Sequence, residues 1–244
     1  MNPIIPDWPA PASVRAFFTT REGGVSAAPY ASLNLGTHVG DSAAAVAENR
    51  SRVGQGMPAD PVWLTQIHGV HVVDAANPAT HEADAAFARK PGAVCVVMVA
   101  DCLPVLFCDR AGEVVAAAHA GWRGLADGVL EATIAAMQVP PSELLAWLGP
   151  AIGPAAFEVG PEVRERFVSD MPEAAACFVP GKGDRQLADI FVLARLRLAR
   201  AGLADAAISG GGVCTVSDAQ RFFSYRRDGT TGRMGGFIWI DRPA

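Results

Sequence analysis

The stretch Val99–Gly124, VADCLPVLFCDRAGEVVAAAHAGWRG, holds two apolar runs joined by a short polar turn, with a thiol ahead of the first run and an imidazole near the end of the second. Apolar runs of this length bounded by a turn predict two buried strands. Closing the hairpin with Arg110-Ala111 as the loop sets Asp109 opposite Gly112 and Cys102 opposite His119. Directly opposed residues on one face have Cβ atoms about 4.5–5.5 Å apart, close enough to share a metal or for an imidazole to hold a thiolate. A one-residue bulge at Gly112 would instead send the two side chains to opposite faces. The plainer alternative is a cysteine packed as a small hydrophobe and a histidine that caps a helix. Against it, Asp101 interrupts an apolar run, and His119 precedes a glycine-flanked helix start whose backbone N–H groups favour an anion.

Working outward, VRAFFTT (14–20) reads as a strand and REGGVSAAPYASLNLGTHVGD (21–41) as a long loop. DSAAAVAENRSRVGQGM (41–57) reads as a helix capped by Asp41/Ser42. VWLTQIHGVHVVDA (62–75) predicts strand, turn and strand around His68-Gly69, and GAVCVVMVAD (92–101) another strand. GWRGLADGVLEATIAAMQV (121–139) predicts one helix, ELLAWL (143–148) a strand, PEVRERFVSDM (161–171) a helix with Pro161 at its first position, and LADIFVLARLRLARAG (187–202) an amphipathic helix closed by Gly202. The tail AAISGGGVCTVSDAQRFFSYRRDGTTGRMGGFIWI (206–240) predicts two strands around an arginine-rich turn. Helices and strands intersperse without regular βαβ alternation, so the predicted class is α+β, a single domain over 1–244 with mixed β-sheets and flanking helices.

Half of the 244 residues are hydrophobic, 18% are charged and the net charge is −5, which describes a compact globular chain and argues against nucleic acid as a partner. The longest apolar run, Ala93–Ala100, has eight residues, against roughly 20 for a membrane helix. The opening residues MNPIIPDWPAPASVR lack a basic n-region and an apolar h-region, and the five cysteines include no Cys-x-x-Cys pair. A cytoplasmic protein with reduced thiols is expected. Oligomeric state is not legible from these features.

An open zinc site takes three protein ligands. The histidines available beside Cys102 and His119 are His38, His68, His71 and His81; His68, at a strand end before a glycine in TQIHG, is the expected third ligand and the other three are expected to be ordinary loop residues.

The motifs TTREGG, SLNLGTHVGD, ENR, TQIHG, ADCLPVLF, AAHAGWRG, LGPAIGP, FEVG and FFSYRRDGTTGRMGGFI run in order from Thr19 to Ile238. Together they resemble the bacterial YfiH family, also called laccase-domain or polyphenol-oxidase proteins, some of whose members are named peptidoglycan editing factor. The resemblance implies zinc held by His68, Cys102 and His119, phosphorolysis of adenosine, inosine and methylthioadenosine, and deamination of adenosine. It also implies an acidic residue before Cys214-Thr215, where this chain has Val213. Zinc on two imidazoles and a thiolate would activate water for attack on the purine carbon bearing the amino group.

Arg21, Arg123 and Arg226 (with Arg227) are candidate phosphate ligands, Asn34 and Gln66 candidate base or ribose contacts, and Phe222, Phe223 and Tyr225 candidate stacking residues. Purine nucleoside and phosphate are thus the expected partners, with no membrane. Multicopper laccases need several His-X-His pairs and this chain has none, which leaves at most weak copper-dependent polyphenol oxidation at a His/His/Cys site. A metal-free alternative makes Cys102 a nucleophile activated by His119 in a hydrolase of peptidoglycan precursors.

Overall fold

The computed structural model describes residues 1–241. In chain order its strands are β1 (Val14–Phe18), β2 (Val72–Asp74), β3 (Ala85–Ala88), β4 (Cys95–Val99), β5 (Leu103–Asp109), β6 (Val115–Ala120), β7 (Leu144–Leu148), β8 (Glu158–Val159), β9 (Phe178–Pro180), β10 (Gln186–Ala188), β11 (Ile208–Gly210) and β12 (Met234–Ile240). Its α-helices are α1 (Ala43–Gly54), α2 (Trp122–Asp127), α3 (Val129–Met137), α4 (Pro161–Val168), α5 (Ile190–Arg200) and α6 (Tyr225–Asp228).

Strands β4, β5, β6, β7 and β12 are buried at every position, which is why they read as continuous apolar runs rather than alternating ones. A six-stranded sheet runs β11-β7-β5-β6-β3-β2, antiparallel at its centre and parallel at its two outer pairs; an antiparallel sheet β1-β12-β4 packs against it, and β8-β10-β9 forms a small third sheet. Side-chain alternation assigns the layers. Leu103, Val105 and Phe107 of β5 face a core shared with α2 to α5, while Leu106 and Cys108 face Cys95, Val97 and Val99 of β4. The opposite face of β4, Val96 and Met98, packs with Leu33, Leu35 and Val53 toward α1. The architecture is α+β with mixed sheets, as the sequence predicts.

Three local expectations are corrected. The β5–β6 hairpin pairs Pro104 with His119 and Leu103 with Ala120, because its loop runs Arg110 to Glu113 and is closed by Asp109 Oδ1, which accepts from the Glu113 and Val114 amides at 2.7 and 3.0 Å. The register thus differs by two residues from the one that puts Cys102 directly opposite His119; a shift of two preserves the face, so both still point to the same side. The single helix expected after Gly121 is two, α2 and α3, broken at Gly128, whose φ of +99° is left-handed backbone. Of the two strands expected over 62–75 only the second forms, as β2, while Val62 and Thr65 make isolated bridges; in the tail both expected strands form, as β11 and β12, with Ser224 capping the one-turn α6 between them and Phe222 and Phe223 fully buried.

Capping follows expectation elsewhere. Ser42 caps α1, Pro161 opens α4 and Gly202, in left-handed backbone (φ 99°), follows the end of α5; Asp189, not singled out from sequence, caps the start of α5 by accepting from the Phe191 and Val192 amides. All five cysteines are unpaired, and among the described residues no helix is long and apolar enough to cross a membrane.

Candidate metal centre and substrate cleft

The start of β5, the end of β6 and the turn ahead of β2 meet at one end of the sheets, and each delivers one side chain. His68 sits in left-handed backbone (φ 62°), a conformation that non-glycine residues rarely adopt without support. The support is Asp84, whose fully buried carboxylate accepts from the amides of Ile67, His68 and Gly69 at 3.2, 2.9 and 2.7 Å. The same carboxylate accepts from His119 Nδ1 at 2.8 Å, and the Asp84 carbonyl accepts from the His119 amide at 2.7 Å, because β3 and β6 are ladder neighbours. Donation from Nδ1 leaves His119 Nε2 as the free ring nitrogen, the usual carboxylate–histidine arrangement behind a metal ligand. One buried acid therefore shapes two of the three ligand positions.

Cys102 follows Asp101, a second non-glycine residue in left-handed backbone (φ 93°). The Asp101 carboxylate accepts from the Thr215 hydroxyl at 2.6 Å, the Ser224 hydroxyl at 3.0 Å and the Arg226 amide at 2.7 Å, which ties the Cys102 turn to the C-terminal segment. Cys102 Sγ lies 3.8 Å from His68 Nε2, the two imidazoles are 4.8 Å apart between centroids, and the three donor atoms all lie within 4.8 Å of one another. Gly121 leaves the room they need, since a Cβ there would come 2.7 Å from His68 Cδ2 and 3.1 Å from Cys102 Sγ.

Burial pushes the Cys102 thiol up, but the charge of His119 and hydrogen bonds from both histidines outweigh it and bring it down to about 6. Burial pushes His119 down, while the Cys102 thiolate and Asp84 outweigh it and raise His119 to about 9. The metal-free pair is thus a thiolate beside an imidazolium. Burial also opposes ionisation of Asp84, yet its bonds to His119 and to the backbone amides hold its carboxyl below the ordinary range. Two imidazole nitrogens and one ready-made thiolate, with an oriented outer partner and an open side, fit a single zinc or copper ion.

The open side is a cavity of about 380 Å³ whose further walls include His38, Gln66, Met98, Tyr225 and Arg233. A second cavity of about 170 Å³, with Trp122, Ile152, Phe157, Ile190 and Arg226 in its walls, adjoins it; Ala100, Cys102 and Tyr225 line both. The larger cavity, which carries imidazole, amide and guanidinium groups, and a smaller, more apolar one therefore meet at the cysteine.

Of the contact residues that the sequence singles out, Gln66 and Arg226 reach these cavities. Gln66 is pinned by its amide to the Met98 backbone at 2.7 and 2.8 Å, and Arg226 Nη1 donates to the carbonyls of Ala156 and Glu158. Arg21 lines neither cavity: it bonds the Ala31 and Ala219 carbonyls and lies over Phe223. Asn34 is fully buried and braces the loop through Gly36, Asp41 and the Arg233 amide. Arg123 is exposed beside Trp122 and lines neither cavity. Arg227 bonds Asp228 and the carbonyls of Thr215, Val216 and Phe222. Tyr225, 61% exposed at the junction, is the one candidate stacking residue in the cleft. His71 and His81 bond backbone carbonyls as loop residues do, but His38 faces the polar cavity, contrary to expectation. Burial, with Arg233 nearby, pushes the His38 pKa down. Sequence reasoning also passes over Asp84 and Arg233; neither stands in a periodic pattern or beside a recognised ligand.

A family model described as multi-copper polyphenol oxidoreductase laccase matches residues 15–241. The chain belongs to this family. A purine nucleoside phosphorylase of Pseudomonas aeruginosa is 57% identical over 97% of this chain and 98% of the relative. Purine nucleoside phosphorylase YfiH of Escherichia coli is 55% identical over 97% and 98%. The crystal structure of a Neisseria meningitidis protein of the family-model DUF152 superposes with a TM-score of 0.96 at 55% identity, covering 99% of this chain and all of that one, and YlmD of Geobacillus stearothermophilus superposes at 0.89 with 31% identity over 95% and 93%. The family's laccase description implies several coppers. Among the described residues, however, His68, Cys102 and His119 are the single group of three or more His, Cys, Asp or Glu side chains placed to hold a metal, and the chain has no His-X-His pair.

Proposed function

We propose that this protein is a zinc-dependent purine nucleoside phosphorylase, acting on adenosine, inosine and methylthioadenosine, which also deaminates adenosine. The observation that carries the reading is the Asp84-braced His68/Cys102/His119 triad at the junction of a cavity that carries polar groups and a smaller, more apolar one. A nucleoside has the same two-part character, a flat base that stacks and a hydroxylated sugar that hydrogen-bonds. The names of the Pseudomonas and Escherichia relatives favour phosphorolysis as the reaction.

His68, Cys102 and His119 would hold the metal, which when bound supplies a Lewis acid with an open coordination position. Asp84 keeps the His119 Nδ1 proton in place and so keeps Nε2 directed at the centre. Tyr225, with Trp122 and Phe157 behind it, forms an aromatic wall for the base. Gln66 and Arg226 are the contacts proposed from sequence that can meet substrate, while Arg21 and Asn34 hold the loop that walls the cleft. In phosphorolysis a phosphate oxygen bonds to the ribose C1′ as the C1′–N9 bond breaks, and the proton of hydrogen phosphate ends on the departing purine. The cysteine usage suits a reducing compartment, and we place the protein in the cytoplasm.

The thiolate–imidazolium pair gives a second reading a specific basis, a Cys102–His119 hydrolase of peptidoglycan precursors that needs no metal. One experiment separates them: product analysis with adenosine, with and without phosphate, on native protein, His68→Ala and Cys102→Ala, with metal content read on the same samples. Phosphate-dependent adenine and phosphate-independent inosine, both lost together with the zinc in the variants, support the nucleoside reading. Zinc-loaded native protein that forms neither product contradicts it; metal-free hydrolysis of a muropeptide that iodoacetamide abolishes would establish the second.

A further inference from the structure

The proposed phosphorolysis needs an anion beside the nucleoside, yet none of the arginines singled out from sequence lines the polar cavity. Arg233 does. Its backbone is fixed where its amide donates to Asn34 Oδ1 at 2.9 Å, and its stem lies against Gly36, where a Cβ would come 2.8 Å from Arg233 Cγ. Nη1 donates to the carbonyls of Thr231 and Gly232 at 2.9 and 3.1 Å, while Nε and Nη2 have no protein acceptor among the described residues. Among the described residues no carboxylate lines this cavity and none pairs with Arg233, whereas Arg221 and Arg227 are paired with Asp218 and Asp228. The guanidinium is thus held in place with donors unspent, in a cavity that also contains the imidazole of His38.

We infer that Arg233, with His38 beside it, is the oxyanion subsite of this protein and binds inorganic phosphate in the same cavity as the triad. A planar guanidinium with two free donor nitrogens matches the spacing of two phosphate oxygens. The buried brace of Asn34, Gly36 and Arg233 also explains the SLNLG loop, which supports the anion site from behind rather than touching substrate. The choice of phosphate as the anion rests on the phosphorylase reading; anion binding at Arg233 does not.

The test uses metal-loaded native protein, Arg233→Gln and Arg233→Lys, with Gly36→Ala as a variant that disturbs the guanidinium without removing it. Inorganic phosphate binding is measured by titration calorimetry, and KM for phosphate and for nucleoside are measured separately, with metal content and thermal unfolding as checks on folding. Loss of charge-assisted bonds predicts that phosphate binding weakens roughly 10- to 100-fold in Arg233→Gln, with phosphate KM rising in parallel and nucleoside KM moving far less. Arg233→Lys, which keeps the charge but not the fork, falls between. Phosphate binding and phosphate KM that match the native protein in a folded Arg233→Gln overturn the inference while leaving phosphorolysis intact, as does native protein that binds no phosphate. Arg233-dependent phosphate binding in a protein that cleaves no nucleoside keeps the subsite and rejects the phosphorylase reading.

Discussion

Replacing Asp84 with asparagine removes the brace of the metal centre while keeping its volume. The carboxylate has four hydrogen-bond donors divided between its oxygens: Oδ1 takes the His68 amide and His119 Nδ1, and Oδ2 takes the amides of Ile67 and Gly69. An asparagine has one acceptor oxygen, so in either amide orientation its NH2 confronts two of those donors. With NH2 toward His119, the imidazole escapes by moving its proton to Nε2, the atom proposed to take the metal. Hydrogen bonds to a charged group contribute about 1.5–3 kcal/mol each, so losing two costs about 3–6 kcal/mol, a large share of the roughly 5–15 kcal/mol that stabilises a domain. At about 2–4 °C per kcal/mol for a chain of this size, metal-free Asp84→Asn should melt roughly 6–24 °C below native protein. Disturbing such an outer partner typically weakens metal binding about 10- to 100-fold. Because the fold holds the Asp84 carboxyl below its ordinary range, its contribution is present at neutral pH and is lost as acid protonates it, so native and variant stabilities converge on acidification. Thermal unfolding across pH and competitive zinc titration measure both effects. An Asp84→Asn protein that binds zinc as tightly as native and melts within a degree or two of it would show that Asp84 does not brace the triad.

Further predictions concern the thiol and two glycines. Iodoacetamide should alkylate Cys102 of metal-stripped protein with a midpoint near pH 6, the thiolate fraction rising with pH and levelling off by neutrality, while Cys95 and Cys108, whose thiols burial pushes up, stay unreactive; a Cys102 midpoint at an ordinary thiol value contradicts the ion pair. Gly121→Ala, on backbone that alanine tolerates (φ −62°), should lose metal affinity by about tenfold or more through its clash with His68 and Cys102 while shifting the melting temperature little, read by zinc titration and calorimetry. Gly128→Ala forces a side chain into left-handed backbone and should cost about 1–2 kcal/mol with metal content unchanged, checked by denaturant unfolding.

The hairpin, the ends of β5 and the face shared by Cys102 and His119 are legible because fully buried strands announce themselves as unbroken apolar runs. The register is not, since a loop closed by the Asp109 side chain differs from a two-residue turn in nothing that a short sequence displays. The break between α2 and α3 turns on Gly128, a glycine that local pattern could equally place inside a helix. The triad can be proposed from residue type and strand ends, but Asp84, on which two of its members depend, lies in a Pro/Ala/His-rich connection with no spacing that points to it. Conversely Arg21 and Asn34 look like ligands because loops attract functional residues, yet Asn34 is spent within the loop on the Gly36 backbone, and Arg21 is spent on the carbonyls of Ala31 and, across from the loop, Ala219. Arg233 escapes notice because an arginine near a strand start usually meets solvent; only the fold shows that its stem crosses Gly36 into the cavity.

Whether one metal on His68, Cys102 and His119 serves nucleoside cleavage is decided by adding zinc stepwise to metal-stripped native protein while following adenine release from adenosine in the presence of phosphate. Activity should rise linearly and stop at one equivalent of zinc per chain, with no rise in Cys102→Ala. Adenine release that is full before any metal is added, or that needs several equivalents, would contradict a single metal in that role.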